Sequence, residues 1–267
     1  MKTLSYALRD GDRIDGLIRE TGVNSDGRTK GITLPSPEAQ AALIHSAYKD
    51  AGLDITKDVD RPQYFEAHGT GTQAGDPREA SAISMAFFLD DQVYSAIIKL
   101  LVGSVKTVIG HTEGCAGIAG ILKVILAMKY KTVPPNQHLI DLNPSVAVSY
   151  DHLQTPTRPL AWPVIAEGHP LQTSINSSGF SGTNSYAILE TYVPEIHDNG
   201  PWGHNALSIQ RVSPPLVSAD NRDFTIVPLV FSTNNEGSLI SMVKQYHQYL
   251  QTSKEPLSRV AQTLHVH

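Results

Sequence analysis

Residues 64–72 read Tyr64-Phe65-Glu66-Ala67-His68-Gly69-Thr70-Gly71-Thr72, a short apolar strand that runs into a glycine-rich turn. A helix is expected directly after it, from Pro77 to about Phe88. The same order recurs downstream. Leu101-Val102-Gly103-Ser104-Val105 is a second strand, followed by the loop Lys106-Thr107-Val108-Ile109-Gly110-His111-Thr112-Glu113 and a long helix from about Thr112 to Tyr130. Upstream, residues 13–23 read as a strand into the turn Asn24-Ser25-Asp26-Gly27. A helix then starts at Ser36-Pro37-Glu38, with serine as cap and proline at the first helical position, and stops near Gly52. Further on, Gln172–Asn176 and Asn184–Thr191 are two strands around the loop Ser177–Thr183. Strands alternating with helices define an α/β chain.

The helix after His111 has an unusual composition. Between Gly114 and Met128 its only charged residue is Lys123, and Gly114, Gly117 and Gly120 recur every third position. Such a helix is expected to be central and buried, with glycines marking close approach to its neighbours. Cys115 falls on it and reads as a small packing residue.

Bulk properties exclude several classes. A net charge of −5 argues against a nucleic-acid binder. No apolar run reaches the ~18 residues needed to span a bilayer, and the first residues show no signal-peptide core. A single cysteine excludes an internal disulfide framework and fits a reducing, cytoplasmic setting. After about Val193 periodicity is lost through Phe224, marking a linker, and a strand (Ile226–Ser232) and helix (Glu236–Leu250) open a second unit.

Three segments carry candidate chemistry: Glu66–Thr72, Lys106–Glu113 and Gly179–Asn184, each where a strand ends. His68 and His111 both abut glycines, and Lys106 lies five residues before His111. Neutral imidazoles in such positions can donate hydrogen bonds to a developing oxyanion. A lone histidine is more often structural; two with a lysine in strand-end loops favour a site. The run Gly69-Thr70-Gly71-Thr72-Gln73-Ala74-Gly75 with Asp90 beyond it is not a dinucleotide fingerprint, because its third glycine comes one residue late. Asp76-Pro77-Arg78-Glu79 instead reads as a capping box, whose carboxylates occupy the place of a pyrophosphate. No metal-ligand spacing is present; His265-Val266-His267 stands without further ligands.

These segments together resemble the ketosynthase (β-ketoacyl synthase) domain of type I polyketide synthases, a branch of the thiolase fold. Glu66–Thr72, Lys106–Gly117 and Asn176–Glu190 match its histidine, lysine-histidine and gating motifs in order. Asp10-Gly11-Asp12, residues 23–29 and residues 35–40 match as well. The resemblance implies a thiolase-like C-terminal half over residues 1–192, with a mixed sheet and a buried central helix. A linker over 193–225 and the start of the ketosynthase–acyltransferase linker unit over 226–267 follow. It is already running at residue 2, which implies a truncated ketosynthase of secondary metabolism.

By the same resemblance His68 and His111 hold the carbonyl of a malonyl thioester while carbon dioxide leaves. Lys106 supports them, with Glu113 in its network, and Phe180 is a gate between acyl pocket and malonyl side. Thr70, Thr72, Asn176, Gly179 and Gly182 are supporting positions of the matched motifs. No cofactor is expected to bind directly; the substrate would ride on the phosphopantetheine of an acyl carrier protein or on CoA. The implied partners are a carrier protein or a synthase, with a homo- or hetero-oligomer expected. The family's acyl-accepting cysteine lies in its other half and has no counterpart here. Val108 stands in place of a common asparagine, Ser178 of phenylalanine, Ser181 of glycine and Tyr186 of histidine. The chain is therefore expected to lack ordinary condensation activity alone. A decarboxylating or tailoring enzyme, a non-catalytic half-domain and an inactive remnant are the readings left open.

Overall fold

The structure is a computed structural model that describes residues 1–31, 34–88, 99–197, 236–253 and 260. The chain divides into two compact units, Met1–Ile209 and Gln210–His267. In the first, α1 (Leu4–Asp10) and β1 (Leu17–Ser25) precede α2 (Pro37–Asp50), β2 (Tyr64–Glu66) and α3 (Gly75–Phe87). Then come β3 (Leu100–Gly103), the single-turn helix α4 (Lys106–Ile109) and α5 (Ala116–Lys129). β4 (Thr132–Val133), α6 (Pro144–Ala147), β5 (Leu153–Gln154) and β6 (Leu160–Ala161) lead to β7 (Gln172–Ser178), β8 (Thr183–Glu190) and α7 (Pro194–His197). The described part of the second unit is Val260 and residues 236–253, which hold the helix α8 (Glu236–Thr252). The strand expected at Ile226–Ser232, most of the linker over 193–225, Asp90 and His265–His267 lie outside the described residues.

Six strands form one mixed sheet in the order β1-β8-β7-β2-β3-β5. β7, β2, β3 and β5 run parallel, while β8 pairs antiparallel with both β7 and β1. The pairing of β1 with β8 is interrupted by a register shift between Ile18 and Glu20. β1 extends past the expected Val23 into the polar turn, because Asn24 and Ser25 still pair with Asn184 and Thr183.

Two apolar clusters sandwich the sheet. On one side Ile44, Ala47 and Tyr48 of α2 and Ile83 and Phe87 of α3 pack on Phe65, Val102 and Ile188. On the other, Val124, Ala127 and Met128 of α5 pack on Leu101, Ile175 and Leu189. Ser36 caps α2 as expected, its Oγ accepting the N–H of Ala39 at 3.1 Å. Glu190, the last residue of β8, holds the departing chain. Its buried carboxylate accepts from Arg19 at 3.1 Å and pairs with His197 Nε2 at 2.8 Å.

The helix expected to be buried all round differs from that expectation. α5 buries one stripe, Ala116, Gly120, Val124, Ala127 and Met128, against the sheet. Its other stripe, Ile118, Leu122 and Leu126, is 61, 58 and 51% exposed. The described residues cover the helix from one side alone. Cys115 is exposed and not a core packing residue, because it closes the helical turn Glu113–Cys115 before α5 begins. Ala116 takes the buried position instead.

Of the three spaced glycines, Gly120 makes the tight contact. A Cβ there would lie 3.3 Å from Glu66 Cγ, whereas one at Gly114 would meet nothing within 4 Å. Gly120→Val should therefore destabilise the chain by about 1–3 kcal/mol. Gly114→Ala should stay within about 0.5 kcal/mol of the parent. Urea denaturation of the two variants separates them, and equal midpoints would refute the close packing of α5 on β2.

Candidate functional site

The topology decides where chemistry can gather. Because β7, β2 and β3 are adjacent and parallel, their carboxyl ends lie on one edge of the sheet. His68 follows β2, Lys106 and His111 follow β3, and the Gly179–Gly182 loop follows β7. The sequence spreads these residues over more than a hundred positions; the sheet brings their segments to one edge.

The imidazole rings of His68 and His111 stand edge to face, with centroids 5.4 Å apart and planes at 86°. His68 is half-buried, and its Nδ1 has no hydrogen-bond partner among the described residues. Burial first, then the positive charge of Lys106, lowers its pKa to about 4, so it is neutral near pH 7. His111 is exposed, and its Nδ1 accepts the backbone N–H of Glu113 at 2.9 Å. With Nδ1 occupied as an acceptor, the ring presents its proton at Nε2. Glu113 adopts a left-handed backbone (φ +47°) that goes with this contact.

Glu113 therefore serves His111 through its backbone. The carboxylates that act most strongly on Lys106 are Glu79, Glu66 and Asp76. Lys106 is half-buried; burial lowers its pKa, and these carboxylates oppose that effect.

The expected capping box is also corrected. α3 starts at Gly75, and Asp76 and Glu79 turn back to the loop before it. Asp76 Oδ1 accepts the N–H groups of Gly71 and Thr72 at 3.1 and 3.2 Å. Glu79 accepts those of His68 and Gly69 at 2.7 and 2.9 Å, and Asn176 Nδ2 at 3.2 Å. A turn this tight leaves its amides unpaired, and a buried amide without a partner costs about 1–3 kcal/mol. Glu79 thus fixes the backbone that carries His68. The spacing from His68 to Glu79 contained that signal, but a cap at a helix start has the same residue pattern.

Gly69 sits at φ +49°, and a Cβ there would meet Ser104 Cβ at 2.8 Å, so the turn excludes any larger residue. Thr72 Oγ1 accepts from Gly75 N–H at 3.0 Å and shapes the loop, in which Thr70 also lies. Asn176 is buried and braces Glu79.

The Gly179–Gly182 loop is a hairpin closed by Gly179 N–H to Thr183 O at 2.7 Å and Gly182 N–H to Gly179 O at 3.0 Å. It is tied to the turn after β1 by Asp26 N–H to Gly182 O at 2.7 Å, and by Asn184 Nδ2 to Asp26 Oδ1 at 2.7 Å. Phe180 at its tip is 78% exposed. A cleft of about 360 Å³, lined by Gly69, Asp76, Ser104, Thr107, His138 and Tyr150 among others, lies beside the histidine pair and includes neither ring. Among the described residues no cluster of three or more His, Cys, Asp or Glu is arranged to hold a metal. No helix among them is long and apolar enough to cross a membrane.

A thiolase-like mixed sheet with two histidines and a lysine at its carboxyl edge defines the class, that of the ketosynthases. Residues 16–140 match the family model for the β-ketoacyl synthase C-terminal domain. The chain belongs to the β-ketoacyl synthase family, as the C-terminal half of a ketosynthase of the polyketide-synthase type.

A PKS-NRPS hybrid synthetase of Aspergillus fumigatus is 59% identical over 267 residues, 100% of this chain and 7% of that protein. A polyketide synthase-nonribosomal peptide synthetase of Pyricularia oryzae is 51% identical over 271 residues, 100% of this chain and 6% of that protein. Among solved structures, the ketosynthase from module 6 of the bacillaene synthase of Bacillus subtilis matches with TM-score 0.73 and 30% identity. That match covers 98% of this chain and 40% of the solved one. The oxazolomycin ketosynthase domain of Streptomyces albus gives TM-score 0.73 and 29% identity, over 98% and 41%. The chain thus spans a small fraction of its curated relatives and about two fifths of the solved ketosynthases.

The low pKa of His68 has a testable sign. In the unfolded chain its imidazole takes a proton near pH 6.5; in the folded chain it does so only near 4. Between those values the unfolded state binds the extra proton, so stability falls as pH falls. His68→Asn should remove this part of the pH dependence. The parent's denaturation midpoint should fall relative to the variant's as pH drops from 6.5 to 4; a constant difference would contradict the buried, neutral ring.

Proposed function

We propose that this chain supplies the decarboxylating half of a polyketide ketosynthase site, acting on a malonyl thioester carried by the phosphopantetheine of an acyl carrier protein or by CoA. One observation carries the reading: two imidazoles, 5.4 Å apart, with His68 neutral and His111 presenting Nε2–H, on the edge where the Lys106 charge also lies. Loss of carbon dioxide breaks the bond between the α-carbon and the carboxylate. The electron pair stays behind and spreads onto the thioester oxygen. Neutral N–H donors fixed before the reaction stabilise that oxygen without having to reorganise. Lys106 adds a positive field and disfavours a charge on His68. Ordinary condensation would further need the acyl-accepting cysteine. The one cysteine here, Cys115, is exposed in the turn before α5 and is unlike the family's acyl acceptor in position.

A second reading, a half-domain that binds a synthase or carrier protein without turning over, draws on the exposed stripe Ile118, Leu122 and Leu126. A row of apolar side chains on one helix face favours a covering partner in a hetero-oligomer.

The test measures carbon dioxide release from malonyl-CoA. The full chain is assayed alone and after co-expression with the remaining ketosynthase segment of a relative. Activity that drops about a hundredfold or more in each of His68→Ala and His111→Ala supports the decarboxylating reading. Release unchanged in both variants sinks it. A chain that stays soluble only in the co-expressed complex and releases nothing there favours the binding half-domain.

A further inference from the structure

The proposed chemistry uses His68, His111 and Lys106 but leaves a buried ion pair unexplained. Glu66, the last residue of β2, is 2% exposed and lies two residues before His68. Its Oε1 accepts the backbone N–H of Val105 at 2.6 Å, and Val105 immediately precedes Lys106. Its Oε2 accepts the hydroxyl of Tyr64 at 2.8 Å and pairs with Lys123 Nζ at 2.6 Å. Lys123, which also donates to the Tyr64 hydroxyl, is on α5, the helix that His111 and Glu113 lead into. Gly120 brings that helix onto the carboxylate, where a Cβ would come within 3.3 Å of Glu66 Cγ.

Adhesion of α5 does not require this arrangement. Taking two charges out of water costs several kcal/mol each before their attraction offsets it, and well-packed apolar residues of similar volume often hold a helix as well. Apolar residues cannot do two other things. A carboxylate can clamp an amide in a turn whose register must be exact, and its charge can act on a lysine nearby.

We propose that Glu66 is a positioning residue of the two-histidine site, a single buried carboxylate that registers the strand carrying His68, the turn carrying Lys106 and the helix that follows His111. Each segment has its own bond to it: the chain itself for His68, the Val105 amide for Lys106, and the Lys123 ion pair for α5. The pair also sets the field at Lys106. Glu66, Glu79 and Asp76 favour its charged form, whereas Lys123 disfavours it. The inference rests on the histidine pair being the reacting site, but its test needs no substrate.

The chain labelled with carbon-13 at lysine Cε is titrated by NMR, with the Lys106 resonance assigned by its loss in Lys106→Arg. Glu66→Gln should lower the Lys106 midpoint by about half a pH unit or more, and Lys123→Met should raise it. Both should displace the ring resonances of His68 and His111. Glu190→Gln, which breaks a buried ion pair at the far end of β8, is the control for general loosening and should leave Lys106 in place.

Should Glu66→Gln fail to fold, Lys123→Met still reports the sign, because it leaves the carboxylate its Val105 and Tyr64 donors. Lys106 midpoints that stay put in every folded variant, or that move equally in Glu190→Gln, overturn the proposal. That result would leave the decarboxylation assay untouched, and a failed decarboxylation assay would not alter this titration.

Discussion

Three parallel strands that end on one edge are the constraint on which the rest of this structure depends. A parallel sheet exposes the last amides of each strand together, at the place where the chain must turn into its crossover. In β2 and β3 those turns are tight, and their N–H groups need acceptors that the sheet does not supply. Carboxylates provide them: the buried Glu79 for the amides of His68 and Gly69, the buried Glu66 for that of Val105, and the half-buried Asp76 for those of Gly71 and Thr72. The same negative charges favour the ammonium form of Lys106 against its burial. Backbone satisfaction and site electrostatics thus come from the same side chains.

Much of this arrangement was legible beforehand, and the reasons are specific. The strand–glycine–helix order around His68 and the apolar run before Lys106 announce an α/β sheet with strand-end loops. Ser36-Pro37 marks the start of α2, which the structure places at Pro37. Less was visible where a residue pattern has two uses. Asp76 and Glu79 have the spacing of a helix cap, yet both face back toward the preceding turn, and only the folded chain shows which amides lie within reach. Elements of two to four residues, such as β4, β5 and α6, carry too few positions for any periodicity to register. α1, at seven residues, was missed as well.

One face of α5 has the burial that its composition predicts, and the other does not. Its stripe of Ala116, Gly120, Val124, Ala127 and Met128 is packed, and Ile118, Leu122 and Leu126 are not. Periodicity reports what a helix face can tolerate. It does not say which chain provides the cover. Among the described residues nothing covers that second stripe.

The interruption between Ile18 and Glu20 in β1 bears on the same circumstance. β1 is the outermost strand on its side of the sheet, nine residues long, with Val23 69% exposed. A long, flat edge of this kind is a template onto which another chain can add a strand. The local bulge twists the ribbon there, and Arg19 sits at the irregularity with its guanidinium turned to Glu190 and the Ala51 carbonyl. A chain that shows one apolar helix face to its surroundings is thereby protected at this border against runaway sheet growth.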